Sequence, residues 1–155
     1  MDFINIFITF SGRINRAKYW IAFLVYAAIY CVVGVLAYFA DQSTAVQTIN
    51  AIVTVALMIS SFGVGIKRLH DRNKSGWYVL LFIVAPTLLF AAGFVIGTMS
   101  TGSDFVATAL WLVAFVIGIW GFIELGCLRG SIGQNRYGPD PLAPDVLTPP
   151  VRTHA

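Results

Sequence analysis

Lysine and arginine occur in only three short segments of this chain, and no other feature limits its fold as much. Arg13, Arg16 and Lys18 make the first segment, Lys67, Arg68, Arg72 and Lys74 the second, and Arg129, Arg136 and Arg152 the third; together they are all 10 basic residues. The stretches between them are apolar. Residues 19–40, 46–66 and 77–99 carry no charge, and residues 105–127 carry only Glu124. Each is long enough to cross a bilayer, because a helix rises ~1.5 Å per residue and the hydrocarbon layer is ~30 Å thick. Such uninterrupted apolar runs exclude the inside–outside alternation of a barrel strand. The chain is 58% hydrophobic and 11% charged, against about 25% charged in an average soluble domain. In water it would expose large apolar patches. The reading is therefore an all-α membrane protein, a bundle of four transmembrane helices that forms a single domain over residues 1–141.

The segments without cations, residues 41–45 and 100–104, are short and polar and read as tight hairpins. Because cations stay on the cytoplasmic side of a membrane, the N-terminus, the middle loop at residues 67–76 and the C-terminus are all expected inside. Tyr19, Trp20, Trp77 and Tyr78 fall where that interface should lie, as an aromatic belt. Residues 3–10 are too short to span. Phe3, Ile4, Phe7, Ile8 and Phe10 interleave with Asn5 and Thr9, which predicts a short interfacial helix ended by Ser11-Gly12. Its basic residues follow rather than precede it, unlike a signal peptide, so the first span is expected to be retained. Five of the six prolines lie in residues 139–155, and residues 142–155 read as a flexible, proline-rich cytoplasmic tail.

No catalytic, cofactor-binding or metal-binding constellation emerges. His70 stands beside Asp71, but adjacent residues rarely converge on one ion, and the other histidine, His154, is near the far terminus. Cys31 and Cys127 lie in different apolar segments and read as reduced packing residues. Glu124 is the ionisable residue inside a span, a place where carboxylates are functional suspects. It sits only three residues, or ~4.5 Å, from the inner end. A structural pair with Arg68, Arg16 or Arg129 therefore outweighs a proton relay. Arg68, Arg72 and Lys74 read as topology signals in preference to an anion seat, with Ser75 as N-cap of the third span. Pro86 is expected to disturb that span, and Gly93 and Gly97 to allow a close helix approach.

Several of these residues together carry a resemblance. Gly12-Arg13 with Arg16 and Tyr19-Trp20, then Arg68-Leu69-His70-Asp71 with Ser75-Gly76-Trp77, then Cys127, Gly130, Gly133 and residues 135–141 occur in order along nearly the whole chain. In this the chain resembles the domain of unknown function 805 family, small bacterial inner-membrane proteins of the YhaH-like kind. The resemblance implies the bacterial cytoplasmic membrane as the location and supplies no catalytic residue. It also sharpens one expectation: Arg13, Arg16, Arg68, His70, Asp71, Ser75, Gly76, Trp77, Asn135, Arg136, Tyr137 and Asp140 should converge on one cytoplasmic face. Asp71 or Asp140 should then reach Arg13, Arg16 or Arg68, and Tyr137 should pack near Trp77.

The function expected from these features is non-enzymatic: a basic cytoplasmic face that binds a protein partner or anionic lipid. The alternative is a small transporter or channel component acting as an oligomer. Membrane lipids, a protein partner or further copies of the chain are the expected associates, and nucleic acid is not.

Overall fold

The computed structural model describes residues 3–40, 44–99 and 105–143. Helix α1 covers Phe3–Ile8, α2 Arg16–Phe39 and α3 Thr44–Asp71; α4 runs through Ala85–Met99 and α5 through Phe105–Phe122. A π-helical turn at Leu80–Val84 leads into α4, and another at Ile123–Cys127 ends α5. Apart from α1, all are long and apolar enough to cross a membrane once the π turns are counted, which makes 4 membrane-length helices. Among the described residues there is no strand, only one bridge between Asn135 and Gly138.

Helices α2 and α3 pack as one antiparallel pair and α4 and α5 as another. The pairs are joined mainly at the end that carries the cations, where the α5 π turn touches both α2 and α3. Most large apolar side chains point outward, such as Leu36, Ile52 and Val116, as lipid rather than water requires. The buried core lies at the cationic end. Leu69, Val79, Phe82 and Leu125 make one cluster, and Ile6, Ile14, Ala22 and Val64 make the other.

Close helix approach is set by particular glycines. A β-carbon at Gly93 would lie 2.6 Å from Trp111 Nε1, and one at Gly121 would lie 3.1 Å from Phe82 Cβ. The expected partner in the first motif, Gly97, meets only Ala107 Cβ at 3.7 Å. Pro86 has no N–H, and its ring presses on the carbonyl of the preceding turn. The chain accommodates it with the wide π turn just upstream, closed by the Ala85 N–H donating to Leu80 O. π turns of this kind are a recognised cause of helix irregularity.

The middle segment departs from its expected form. Residues 67–71 are not loop: α3 continues through Asp71, and the connection begins at Arg72. Lys67, Arg68 and Asp71 are buried among groups that neutralise them, so the helix need not stop where the charge begins. The expected hairpins at residues 41–45 and 100–104 fall mostly outside the described residues, as does the tail beyond residue 143.

Helix α1 lies against α3 rather than standing free. Ile6 is buried and Phe7 meets Tyr26 edge to face at 5.7 Å. Ser60 Oγ donates to Phe7 O at 2.7 Å and lies 2.8 Å from the Tyr26 hydroxyl. Lys67, fully buried, donates from Nζ to Asn5 O at 2.9 Å, Ile6 O at 2.5 Å and Thr9 Oγ1 at 3.3 Å. Its ammonium thereby caps the carbonyl end of α1, where the helix leaves acceptors unpaired.

A buried arginine–aspartate clasp as the candidate functional site

The last turn of α3 aims Asp71 inward, where two guanidiniums hold it. Arg13, in the loop between α1 and α2, donates from Nε and Nη2 to Asp71 Oδ1, each at 3.1 Å. Arg68, three residues earlier on α3, donates from Nη1 to Asp71 Oδ2 at 2.5 Å. This i,i+3 spacing places the two side chains on one helix face. The side chains of Arg13, Arg68 and Asp71 are 1%, 0% and 4% exposed.

The remaining donors reach carbonyls of the segment after α5. Arg13 Nη1 donates to Gly133 O at 2.7 Å and Gly138 O at 3.2 Å, and its Nη2 to Ser131 O at 2.6 Å. Arg68 Nε donates to Leu125 O at 2.7 Å and its Nη2 to Leu128 O. A planar fork of donors can bridge a carboxylate and several carbonyls at once, which a lysine cannot. The main chain closes the arrangement. Ser131 donates to Asp71 O from both its N–H, at 2.7 Å, and its hydroxyl, at 3.0 Å. Three distant parts of the sequence are thus clasped about one carboxylate.

The carbonyl end of α5 shows how completely this end is satisfied. Leu125 O and Leu128 O accept from Arg68, Gly126 O from Trp20 Nε1 at 3.1 Å, Cys127 O from Arg16 Nη1 at 3.3 Å and Arg129 O from Arg72 Nη1 at 2.6 Å. Helix C-termini leave carbonyls without intrahelical partners and carry partial negative charge. The π turn spreads these acceptors, and side chains from α2, α3 and the turn after α3 take them up.

Glu124 is buried, and its partners differ from the expected ones. Its Oε1 accepts from Arg72 Nε and Lys74 Nζ, each at 2.9 Å, rather than from Arg68, Arg16 or Arg129. Arg68 is already held by Asp71 and the α5 carbonyls, whereas the turn after α3 brings Arg72 and Lys74 over Glu124. Arg72 and Lys74 are thus paired with Glu124, as Arg68 is with Asp71.

The other motif residues lie beside the clasp. Asn135 Nδ2 donates to His70 O at 2.9 Å and to Ser131 Oγ at 2.8 Å, and its Oδ1 accepts from Tyr137 N at 2.9 Å. Asn135 and Gly138 exchange two main-chain bonds at 3.1 Å, so Arg136 and Tyr137 form the tip of a tight turn. The turn lays Tyr137 flat on His70, with ring centroids 3.7 Å apart and planes 6° from parallel. Tyr137 therefore stacks on His70, because Asn135 anchors its turn to the His70 carbonyl, and it lines the same cavity as Trp77. Arg136 donates to Asn73 O at 3.2 Å and sits 4.7 Å above the Tyr137 ring. Ser75 Oγ accepts from Trp77 N at 3.5 Å, as a capping residue does.

Asp140 does not join an arginine. Its oxygens accept the main-chain N–H groups of Leu142 at 2.9 Å and Gly133 at 3.0 Å. The Leu142 bond first, then the Gly133 bond, holds its carboxyl below the ordinary aspartate range. Among the described residues, no three His, Cys, Asp or Glu side chains come together as a metal set.

Sequence reasoning missed Lys67 as the cap of α1, Gly130 as a contact of Asp71, and Gly126 as the seat of Trp20. A β-carbon at Gly126 would fall 2.9 Å from Trp20 Cζ2. The expected reach of Asp71 to Arg13 or Arg68 is met by both arginines, although residues 67–71 read as loop and their i,i+3 spacing went unused.

Four membrane-length helices, clasped at one end through buried ionic and carbonyl contacts, define a polytopic helical membrane protein. The chain belongs to the family described as Protein of unknown function (DUF805), which matches residues 7–139. It is 32% identical over 140 residues to Uncharacterized protein YiiR of Escherichia coli strain K12, covering 85% of each chain. It is 26% identical over 141 residues to Inner membrane protein YhaH of the same strain, covering 87% of this chain and 88% of that one. With Inner membrane protein YhaI of that strain it shares 27% identity over 135 residues and 87% of each chain. No solved structure matches it.

Proposed function

We propose that this chain is a non-enzymatic protein of the bacterial inner membrane, with its clasp and both termini in the cytoplasm, and that the face beside the clasp binds a protein partner. Two relatives are named inner membrane proteins, and the cations concentrate at the clasp end, as the positive-inside rule requires of a cytoplasmic side. The non-enzymatic reading rests on Arg13, Arg68, Asp71 and Asn135, whose hydrogen-bonding groups engage the chain itself.

The observation that carries the binding face is an open cavity of about 410 Å³ lined by His70, Ser75, Gly76, Trp77 and Tyr137. His70 Nδ1 lies 3.3 Å from Gly12 O. A carbonyl can only accept, so Nδ1 carries the proton and Nε2 is left as an acceptor. Nε2 lies beside Gly76, where a β-carbon would come within 3.4 Å of it. Trp77 is 78% exposed. Of the cations nearby, Lys74 is paired with Glu124, and Arg136 donates Nη2 to Asn73 O while lying over the Tyr137 ring. The face therefore offers aromatic surface and directed hydrogen-bonding groups with one guanidinium at its edge. That chemistry suits a protein segment with an apolar side chain and an N–H or O–H donor better than a lipid phosphate.

Site-specific photocrosslinking in native membranes tests this reading. A benzophenone side chain at Trp77 should give a discrete protein adduct, lost on Tyr137→Ala in chain that still elutes as a single species. The same probe at Leu112, on the opposite half of α5, should give none. Equal adducts at both positions, or lipid adducts alone at Trp77, would reject a protein-binding face.

A further inference from the structure

A second cavity, on the other side of the clasp, differs in its chemistry. It lies between the start of α2 and the end of α5, encloses about 140 Å³ and is lined in part by Arg16, Arg129, Ser131, Asp71 and Asp140. A single water needs only about 10–15 Å³ of such space, so the cavity takes a group of several heavy atoms. We propose that this cavity binds a phosphate group, carried by an anionic phospholipid headgroup or free at the membrane surface.

Two guanidiniums in the lining supply the positive charge. Arg129 is exposed. Its carbonyl accepts from Arg72, but among the described residues its guanidinium donates no hydrogen bond and forms no salt bridge. Arg16 donates only Nη1, to Cys127 O at 3.3 Å, which leaves Nε and Nη2 available. These cations differ from Arg13, Arg68, Arg72 and Lys74, whose charged groups are held by Asp71 or Glu124.

The two carboxylates in the lining offset them only in part. Asp71 has Arg13 on one oxygen and Arg68 on the other. Asp140 accepts a main-chain N–H on each oxygen. Counting the four guanidiniums of Arg13, Arg16, Arg68 and Arg129 against Asp71 and Asp140, the surroundings keep an excess of two positive charges. Guanidinium forks match phosphate oxygens in geometry and charge. The site also lies where α2 begins and α5 ends, and Trp20, one helical turn along α2 from Arg16, donates its indole N–H to Gly126 O. That is the depth of phospholipid headgroups at a membrane surface.

The test uses the full chain in nanodiscs and lipid retention read by native mass spectrometry. The wild type should retain phosphatidylglycerol in preference to phosphatidylcholine. Arg129→Gln removes a guanidinium that makes no hydrogen bond or salt bridge among the described residues, so its fold should persist. Together with Arg16→Gln it should weaken retention by roughly tenfold or more, since cations near a membrane surface act on anionic headgroups additively. Arg129→Lys should restore part of the loss, and Lys18→Gln, a nearby cation outside the cavity, should cause little. Inorganic phosphate that displaces the lipid from wild type would assign the free anion; retention unaffected by inorganic phosphate would assign the headgroup. Retention unchanged in the double variant, or reduced as much by Lys18→Gln, would overturn the proposal. Photocrosslinking from Trp77 in the same variants reads the separate protein-binding face, so either idea can fail without the other.

Discussion

Gly130 lies so close to Asp71 that a β-carbon on it would stand 2.0 Å from Asp71 Oδ2 and 2.5 Å from Cγ. The carboxylate cannot withdraw, because Arg13 and Arg68 grip it from two sides. Gly130→Ala should therefore break the clasp. The cost combines overpacking, about 1–3 kcal/mol, with damage to a buried ion pair. Gly118→Ala makes the control, since nothing lies within 4 Å of that position. Thermal melts in detergent should show a large fall for the first variant and almost none for the second. Equal melting temperatures would mean that the clasp yields without loss.

Asp71 and Glu124 should differ in their contribution to stability. Asp71→Asn leaves two buried guanidiniums facing a neutral group, and removing one member of such a set costs about 3–5 kcal/mol. Glu124 is buried, but Arg72 and Lys74 are 25% and 33% exposed, so water solvates the cations that Glu124→Gln leaves behind. A loss of about 1–2 kcal/mol is expected, between exposed and buried pairs. Denaturation of the two variants side by side measures the ranking, and a Glu124→Gln loss as large as that of Asp71→Asn would contradict it.

Acid should loosen the segment after α5 before the helices. The folded carboxyl of Asp140 titrates below its ordinary value of 3.8 because Leu142 and Gly133 donate to it. A depressed acid of this kind contributes stability that is fully present above the unfolded value and is lost as pH falls through the folded one. Below about pH 4, amide exchange at Gly133 and Leu142 should accelerate relative to α2. Asp140→Asn should remove that acid dependence. Exchange that keeps the wild-type acid dependence in this variant would assign it to another group.

Orientation follows from the cations and is open to direct measurement. Reporter tags at Ser43 and Ser103 should read outside, and tags at Asn73 and the C-terminus inside. An inside reading at Ser103 would replace the last two spans with a re-entrant hairpin.

Sequence alone determined the four membrane-length helices, because a bilayer demands long uncharged runs and interrupts them only where the backbone returns to water. The confinement of all 10 cations to three segments was equally visible there. Tertiary structure alone decided which cations face inward. Arg13 and Arg129 look alike in sequence, each a cation beside a glycine, yet Arg13 is buried on Asp71 and Arg129 stands exposed at a cavity. The difference arises from contacts separated by more than a hundred positions in the chain, such as Arg13 to Gly133 O. The end of α3 was hidden for the same reason. A charged Lys67-Arg68 pair reads as the end of a span, and only the Asp71 carboxylate with carbonyls supplied by α1 and by the end of α5 allows the helix to carry those charges into the core.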